Sequence, residues 1–228
     1  MKPLTVKQIK QVFQRNDLDN KFCIKLSVLL DKYAKDFYID TPIRRVRFLA
    51  QAVHETGILY NGKPRLRENL NYSISKLKKI SLYFRTHLKL AQLFGRSSTH
   101  PANQKMIANY FYWDRLRSYK NKLGNTEFGD GWKYRGYGIF QITGKENILF
   151  EDKILCEKID FSLFDDNGEL RQDYDGFILS GMSYWYHKQL YKCNSTNCVT
   201  NKINSGLWLS EKQSRLKTAI RIKKLLIS

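Results

Sequence analysis

The sequence predicts an all-α, mainly helical fold in a single domain. Apolar residues recur at helical spacing in almost every part of the chain. The 228 residues, 42% of them hydrophobic and 14% aromatic, can fill one sizeable core and are too few to demand two domains. Sequence dense in glycine and aromatic residues is confined to one central stretch, which predicts a small loop-and-strand region there.

The elements follow in order. "TVKQIKQVFQRN" places Val6, Ile9, Val12 and Phe13 on one helical face, and "IKLSVLLDKYAKDF" does the same with Ile24, Val28, Leu29 and Tyr33. In "DTPIRRVRFLAQAVHETG", Thr41 is a natural N-cap and Pro42 suits the first helical position. Its buried face is expected to be Ile43, Val46, Leu49, Ala50 and Val53, with Gly57 as the stop. Further helices are expected over 73–80, 101–112 and 145–159, around "YDGFILSGMSYWYHKQL", and from Ser210 to the C-terminus. In "TEFGDGWKYRGYGIFQITG", Tyr134, Tyr137, Ile139 and Ile142 suit a short irregular sheet or ordered loops. No internal repeat, low-complexity tract or linker is visible.

Forty Lys and Arg against 21 Asp and Glu give a formal charge of +19, spread along the whole length. Such a surface favours polyanions, whether nucleic acid, anionic lipid or an acidic wall polymer, and charge alone does not choose among them. "MKPLTVKQIKQVF" has polar residues at helical spacing where a signal peptide carries an apolar run, so the chain reads as soluble and made in the cytoplasm. The cysteines are Cys23, Cys156, Cys193 and Cys198. "CNSTNC" can form a local disulfide or a weak metal site, but no second Cys pair or His cluster completes a zinc pattern, and the four are read as structural thiols.

Two glutamates carry the chemistry. "LAQAVHETGILY" sets Glu55 in the last turn of a helix, and the zinc-protease reading of "HET" fails because position 58 is Ile. An exposed Glu at a helix end needs no purpose. Near the negative end of the macrodipole, however, and against Leu59 or Tyr60, a carboxyl group inclines to keep its proton, as a general acid requires. In "RLRENLNYSIS", Glu68 stands in an apparent loop before a helix that Ser73 can cap, with Arg65 and Arg67 expected to favour its ionised form. Two carboxyl groups pulled in opposite directions form the acid and base pattern of glycoside hydrolysis.

In order, "AQAVHETG", "RENLNYS", "GDGWKYRGYGIFQITGKENI" and "TNKINSG" followed by an arginine resemble the glycoside hydrolase family 19 pattern, over about 46–225. That family contains plant-type chitinases and many bacteriophage endolysins; the "ENLNYS" block and the compact size look more like the phage and bacterial lysins. The resemblance implies a lysozyme-like, two-lobed domain with a central cleft. Glu55 would be the general acid and Glu68 the general base, in an inverting reaction that needs the two carboxyls roughly 6.5 to 9.5 Å apart. It further implies that Gln141, Thr143 and Asn147 bind sugar or place the water, that Asn204 binds substrate, and that Arg215, the later arginine of the pattern, binds substrate too. No cofactor or metal is required. Tyr134, Tyr137 and Trp132 offer flat faces for pyranose rings; the competing reading is that they pack the core.

The chain departs from the pattern at Ile58, where the family often has a second glycine, in the extra "YNGKP", at Tyr137 in place of an arginine, and at Ser205 in a usual double glycine. The first 40 residues fall outside the resemblance and are expected to be packing helices. "GYGIFQ" lacks the third glycine and the preceding strand of a dinucleotide fingerprint. In "SRLKTAIRIKKLL", Leu216, Ile220 and Leu225 are expected to pack inward, leaving the lysines solvated rather than touching a membrane.

Three functions are consistent with these observations: a lysin cleaving the β-1,4 links of bacterial peptidoglycan, a chitinase, and a catalytically inactive cell-wall or nucleic-acid binding protein. A neutral polymer gains little from the positive charge, whereas an anionic wall surface attracts it, which favours the lysin and gives no reason to expect a specific nucleic acid. Such a protein would act in the periplasm or wall after release or delivery. The sequence is silent on oligomeric state.

Overall fold

The structure, a computed structural model, describes residues 2–58 and 61–227. It is mainly helical, as the sequence predicts. Twelve α-helices are present among the described residues: α1 (Val6–Phe13), α2 (Asn20–Tyr33), α3 (Pro42–Glu55), α4 (Ile74–Ile80), α5 (Leu82–Thr86), α6 (Leu88–Phe94), α7 (Gln104–Tyr112), α8 (Asp130–Lys133), α9 (Lys145–Ile159), α10 (Tyr174–His187), α11 (Thr196–Ile203) and α12 (Leu209–Ile227). Two two-residue strands, β1 (Gly57–Ile58) and β2 (Pro64–Arg65), pair antiparallel with Gly57 opposite Arg65. The chain divides into two compact units, the first comprising Met1–Leu66, Gly138–Gln141 and Glu151–Ser228 and the second Arg67–Tyr137 and Ile142–Phe150.

In the first unit, α1 opens with a capping box in which the Thr5 hydroxyl accepts from the Gln8 N–H and the Gln8 side chain accepts from the Thr5 N–H. The α2 face differs from expectation. Ile24 and Val28 are 51% and 52% exposed. Asp19 starts this helix earlier, and Phe22, Leu26, Leu29 and Leu30 form the larger apolar stripe that is buried. Helix α3 starts as predicted, with Thr41 capping Arg44 and Pro42 in the first turn. It buries Val46, Phe48, Leu49, Ala50 and Ala52, while Ile43 is exposed and Val53 only partly covered. The helix ends at Glu55, and Gly57 enters β1 instead of closing the turn.

Helix α12 packs on α3 through Ala219 and Ile222, with Arg215 turned inward. Ile220 is exposed and Leu216 and Leu225 are only partly covered, so the buried stripe differs from the expected one because it follows Arg215. Helix α10 buries Phe177, Ile178, Leu179, Met182 and Trp185, and Phe48 meets Trp185 edge-on at 5.7 Å. Gly138 crosses this helix at φ 73°; a Cβ there would lie 2.2 Å from the Ser180 hydroxyl and 2.7 Å from the Phe177 carbonyl. Cys193 and Cys198 are joined in a disulfide across a Cα separation of 5.6 Å, correcting the reading of four thiols. Cys156 is exposed, and burial pushes the Cys23 thiol up to about 11.

In the second unit, Ser73 caps α4, and single non-helical residues, Ser81 and His87, separate α4, α5 and α6. Leu77 of α4, Phe84 of α5 and Ala91 and Phe94 of α6 are buried in a core shared with Ile107 and Ala108. Helix α7 begins at Gln104 under an Asn103 cap, three residues later than the sequence suggested. The central Gly- and aromatic-rich stretch contains the single turn α8 and isolated bridges pairing Tyr137 with Arg67 and with Ile142, so it is mostly ordered loop.

Candidate active site

Glu55 is the last residue of α3, in the first unit, and Arg215 of α12 meets it. The Arg215 Nη1 lies 2.7 Å from Glu55 Oε1 and donates to Gln51 Oε1 at 2.7 Å. Gln51 lies one turn before Glu55 on the same side of α3, and its amide donates to the Thr200 hydroxyl at 2.9 Å. Gln51 and Arg215 are both buried. The carboxyl group therefore sits on a rigid string of polar contacts linking α3, α11 and α12. The sequence set Glu55 only against a helix end and the pair Leu59 and Tyr60; those two lie outside the described residues, and the guanidinium was not foreseen. Arg215 was matched to substrate binding, but it is buried and bonded to Glu55 and Gln51.

The neighbours of Glu55 are fixed as well. His54 Nε2 is 2.9 Å from the Thr218 hydroxyl, and burial together with Arg215 pushes its ring below the ordinary histidine range. The Thr56 hydroxyl donates to the Ile139 carbonyl at 3.1 Å, tying the helix end to the loop that carries Gln141. Burial, then the charges of Glu151 and Glu55, push the Tyr184 phenol up to about 12. Glu151, which sequence reading did not single out, is fully buried and holds Ser183 Oγ at 2.6 Å and His187 Nδ1 at 2.7 Å.

Glu68 belongs to the second unit. The Tyr112 hydroxyl lies 2.8 Å from each of its carboxylate oxygens, and the Gly136 N–H donates to Oε2 at 3.3 Å. Its own N–H donates to the Gly136 carbonyl at 2.9 Å, and Arg135 Nε donates to its carbonyl at 3.3 Å, so main chain and side chain are fixed together. Burial first, then Glu68, pushes the Tyr112 phenol far up, leaving a permanent donor. Arg67 was expected to serve Glu68 directly. Its guanidinium instead donates to the carbonyls of Lys133 and Arg135, and burial lowers it to about 10. Arg65 lies in β2, its guanidinium against Gly57.

The remaining residues divide by unit. In the first, Gln141 adopts φ 52° and its amide donates to the Gly138 carbonyl at 2.9 Å. Asn204 is exposed, and its Oδ1 accepts from the Gly206 N–H at 3.0 Å. Trp208, 80% exposed just beyond this turn, was not singled out from the sequence. In the second, Asn147 donates to the Thr143 carbonyl at 2.7 Å at the start of α9. The aromatic platforms need correction. Tyr137 is fully buried with Arg67 over its ring, and Tyr134 is buried too, so neither presents a face to a sugar. Trp132 is partly exposed and carries the Arg135 guanidinium 3.5 Å from its ring centre. Among the described residues no cluster of three or more His, Cys, Asp or Glu is placed to hold a metal.

A helical frame with carboxyl groups fixed by hydrogen bonds is the equipment of a glycoside hydrolase. No family model matches the chain. A protein of Haemophilus influenzae (strain ATCC 51907 / DSM 11121 / KW20 / Rd) described as a glycosyl hydrolase family 19 domain-containing protein is 34% identical over 182 residues, covering 79% of this chain and 80% of that protein. The chain belongs to glycosyl hydrolase family 19.

Proposed function

We propose that the protein cleaves the β-1,4 links between the amino sugars of bacterial peptidoglycan, with inversion, using Glu55 as general acid and Glu68 as general base. The observation that carries this reading is that both family-block glutamates have dedicated partners, Arg215 for Glu55 and Tyr112 with the Gly136 N–H for Glu68. In this mechanism Glu55 gives its proton to the glycosidic oxygen as the bond breaks. Glu68 takes a proton from a water that attacks the anomeric carbon from the opposite face, so the product anomer is inverted. Arg215 is a positioning residue: it fixes one oxygen of Glu55. Gln141, Thr143, Asn147 and Asn204 supply neutral donors and acceptors for sugar hydroxyls. The net charge of +19 supports an anionic wall as the working surface over neutral chitin.

The test compares the protein with its Glu55→Gln and Glu68→Gln variants on peptidoglycan and on a soluble chitin oligomer, following reducing ends, product mass and the anomer first formed. Peptidoglycan cleavage giving the inverted anomer is expected, with each variant slower by about 10²- to 10⁴-fold. Cleavage of chitin alone moves the protein to the chitinases. Salt-dependent binding to duplex DNA without any sugar cleavage would support the inactive binding protein instead.

A further inference from the structure

The first unit contains a cavity ten residues back along α3 from Glu55, about 15 Å of helix at the usual rise. It has a volume of about 460 Å³ and lies among the N-terminal segment, the first turns of α1 and α3, and the end of α12. Arg45 lines it. Only 4% of Arg45 is exposed, yet among the described residues its guanidinium hydrogen-bonds main-chain carbonyls alone, those of Lys2 at 3.3 Å and Leu30 at 3.4 Å. Its Nε is buried without a partner.

A buried guanidinium without a counterion is costly, and a buried donor without an acceptor adds to that cost. Native proteins leave few such groups, and those they leave call for an explanation. Burial lowers the basicity of Arg45, and among the described residues the anion that opposes this is Asp31, which is exposed on α2. Lys2 brings a second cation to the cavity, and the Thr5 and Gln8 side chains add polar groups. The other wall is aliphatic, from Leu226 and Ile227 at the end of α12. Concave, mostly apolar space with a few convergent polar groups is what a small-molecule site consists of.

The geometry points to a binding site for a small anionic amphiphile, a carboxylate on a short aliphatic chain, with the head on Arg45 and the chain against Leu226 and Ile227. The planar guanidinium matches a carboxylate, which supplies the counter-charge that the two main-chain carbonyls do not. This site is independent of sugar cleavage and does not rest on the catalytic reading.

The experiment titrates the full chain with octanoate, below its micelle threshold, following the thermal midpoint and the heat of binding, with octanol and acetate as controls. Octanoate is expected to raise the midpoint in a saturable way, octanol to do nothing and acetate to bind much more weakly. Arg45→Gln should weaken octanoate by at least about tenfold, the loss expected when one partner of a buried charge pair is truncated. A variant that does not remove the buried cation keeps the test clear of misfolding. Leu226→Glu places a carboxylate on the cavity wall, and should raise the midpoint of the free protein and abolish the octanoate response. No response to octanoate, an equal response to octanol or to acetate, or an undiminished response in Leu226→Glu would overturn the assignment.

Discussion

Tyr112 determines how Glu68 is presented. Its hydroxyl stands 2.8 Å from both carboxylate oxygens, and burial pushes the phenol far up, so it stays a donor. The general base proposed for Glu68 must offer a lone pair along one direction, and this bond fixes the plane of the carboxylate. Tyr112→Phe removes the donor and leaves the ring. A hydrogen bond to a charged group is worth about 1.5 to 3 kcal/mol, so a loss of about ten- to a hundredfold in kcat is expected, with KM little changed. Steady-state kinetics on peptidoglycan, beside a circular dichroism spectrum matching the parent, checks it. A raised KM with kcat intact would make Tyr112 a sugar contact instead.

At the scale of elements, the loop 138–141 is pressed against α10. Gly138 combines a left-handed conformation with an approach that leaves no room for a side chain. Its N–H also donates to the Leu66 carbonyl at 2.8 Å, and the next residue, Ile139, holds both Phe177 and Thr56. Gly138→Ala meets backbone strain of about 1 to 3 kcal/mol and a similar overpacking penalty. A stability loss of about 2 to 6 kcal/mol is expected in urea titration, with the slope unchanged; a loss under about 1 kcal/mol would mean that loop and helix move apart at little cost.

The same scale shows what could be read from the chain. Thr41 and Pro42 announce α3 because capping is a local matter, and α9 runs over the predicted 145–159. Helix α2 was read with the wrong face because Ile24 and Val28 also have helical spacing, and only the neighbours decide which stripe is covered. Helices α5 and α6 were missed because five and seven residues, separated from each other and from α4 only by Ser81 and His87, give too short a window for a helical period to show. The sequence blocks single out Glu55 and Glu68 as candidates. They do not single out the partners: Tyr112 is 44 residues from Glu68, and Arg215 is 164 from the Gln51 it shares with Glu55, distances over which no spacing rule operates.

For the whole molecule the dominant quantity is charge. An excess of 19 positive charges on 228 residues repels itself, a standing cost to the folded state that a neutral substrate would not offset. On the proposed reading, a wall carrying acidic groups would offset it by concentrating the protein on its substrate. That attraction acts through solvent and is screened over about 10 Å at 0.1 M salt and about 3 Å at 1 M. The chemistry proposed for Glu55 and Glu68 would act within contact distance and be far less screened. Raising salt across that range is therefore expected to slow hydrolysis of intact anionic wall material several-fold, through KM, while the rate on a short neutral oligosaccharide stays nearly constant. Turbidity clearing of wall suspensions and reducing-end release from the oligomer, run over one salt series, separate the two effects. Parallel salt curves for both substrates would assign the salt effect to the catalytic step itself, and the positive surface would then have no part in choosing the wall.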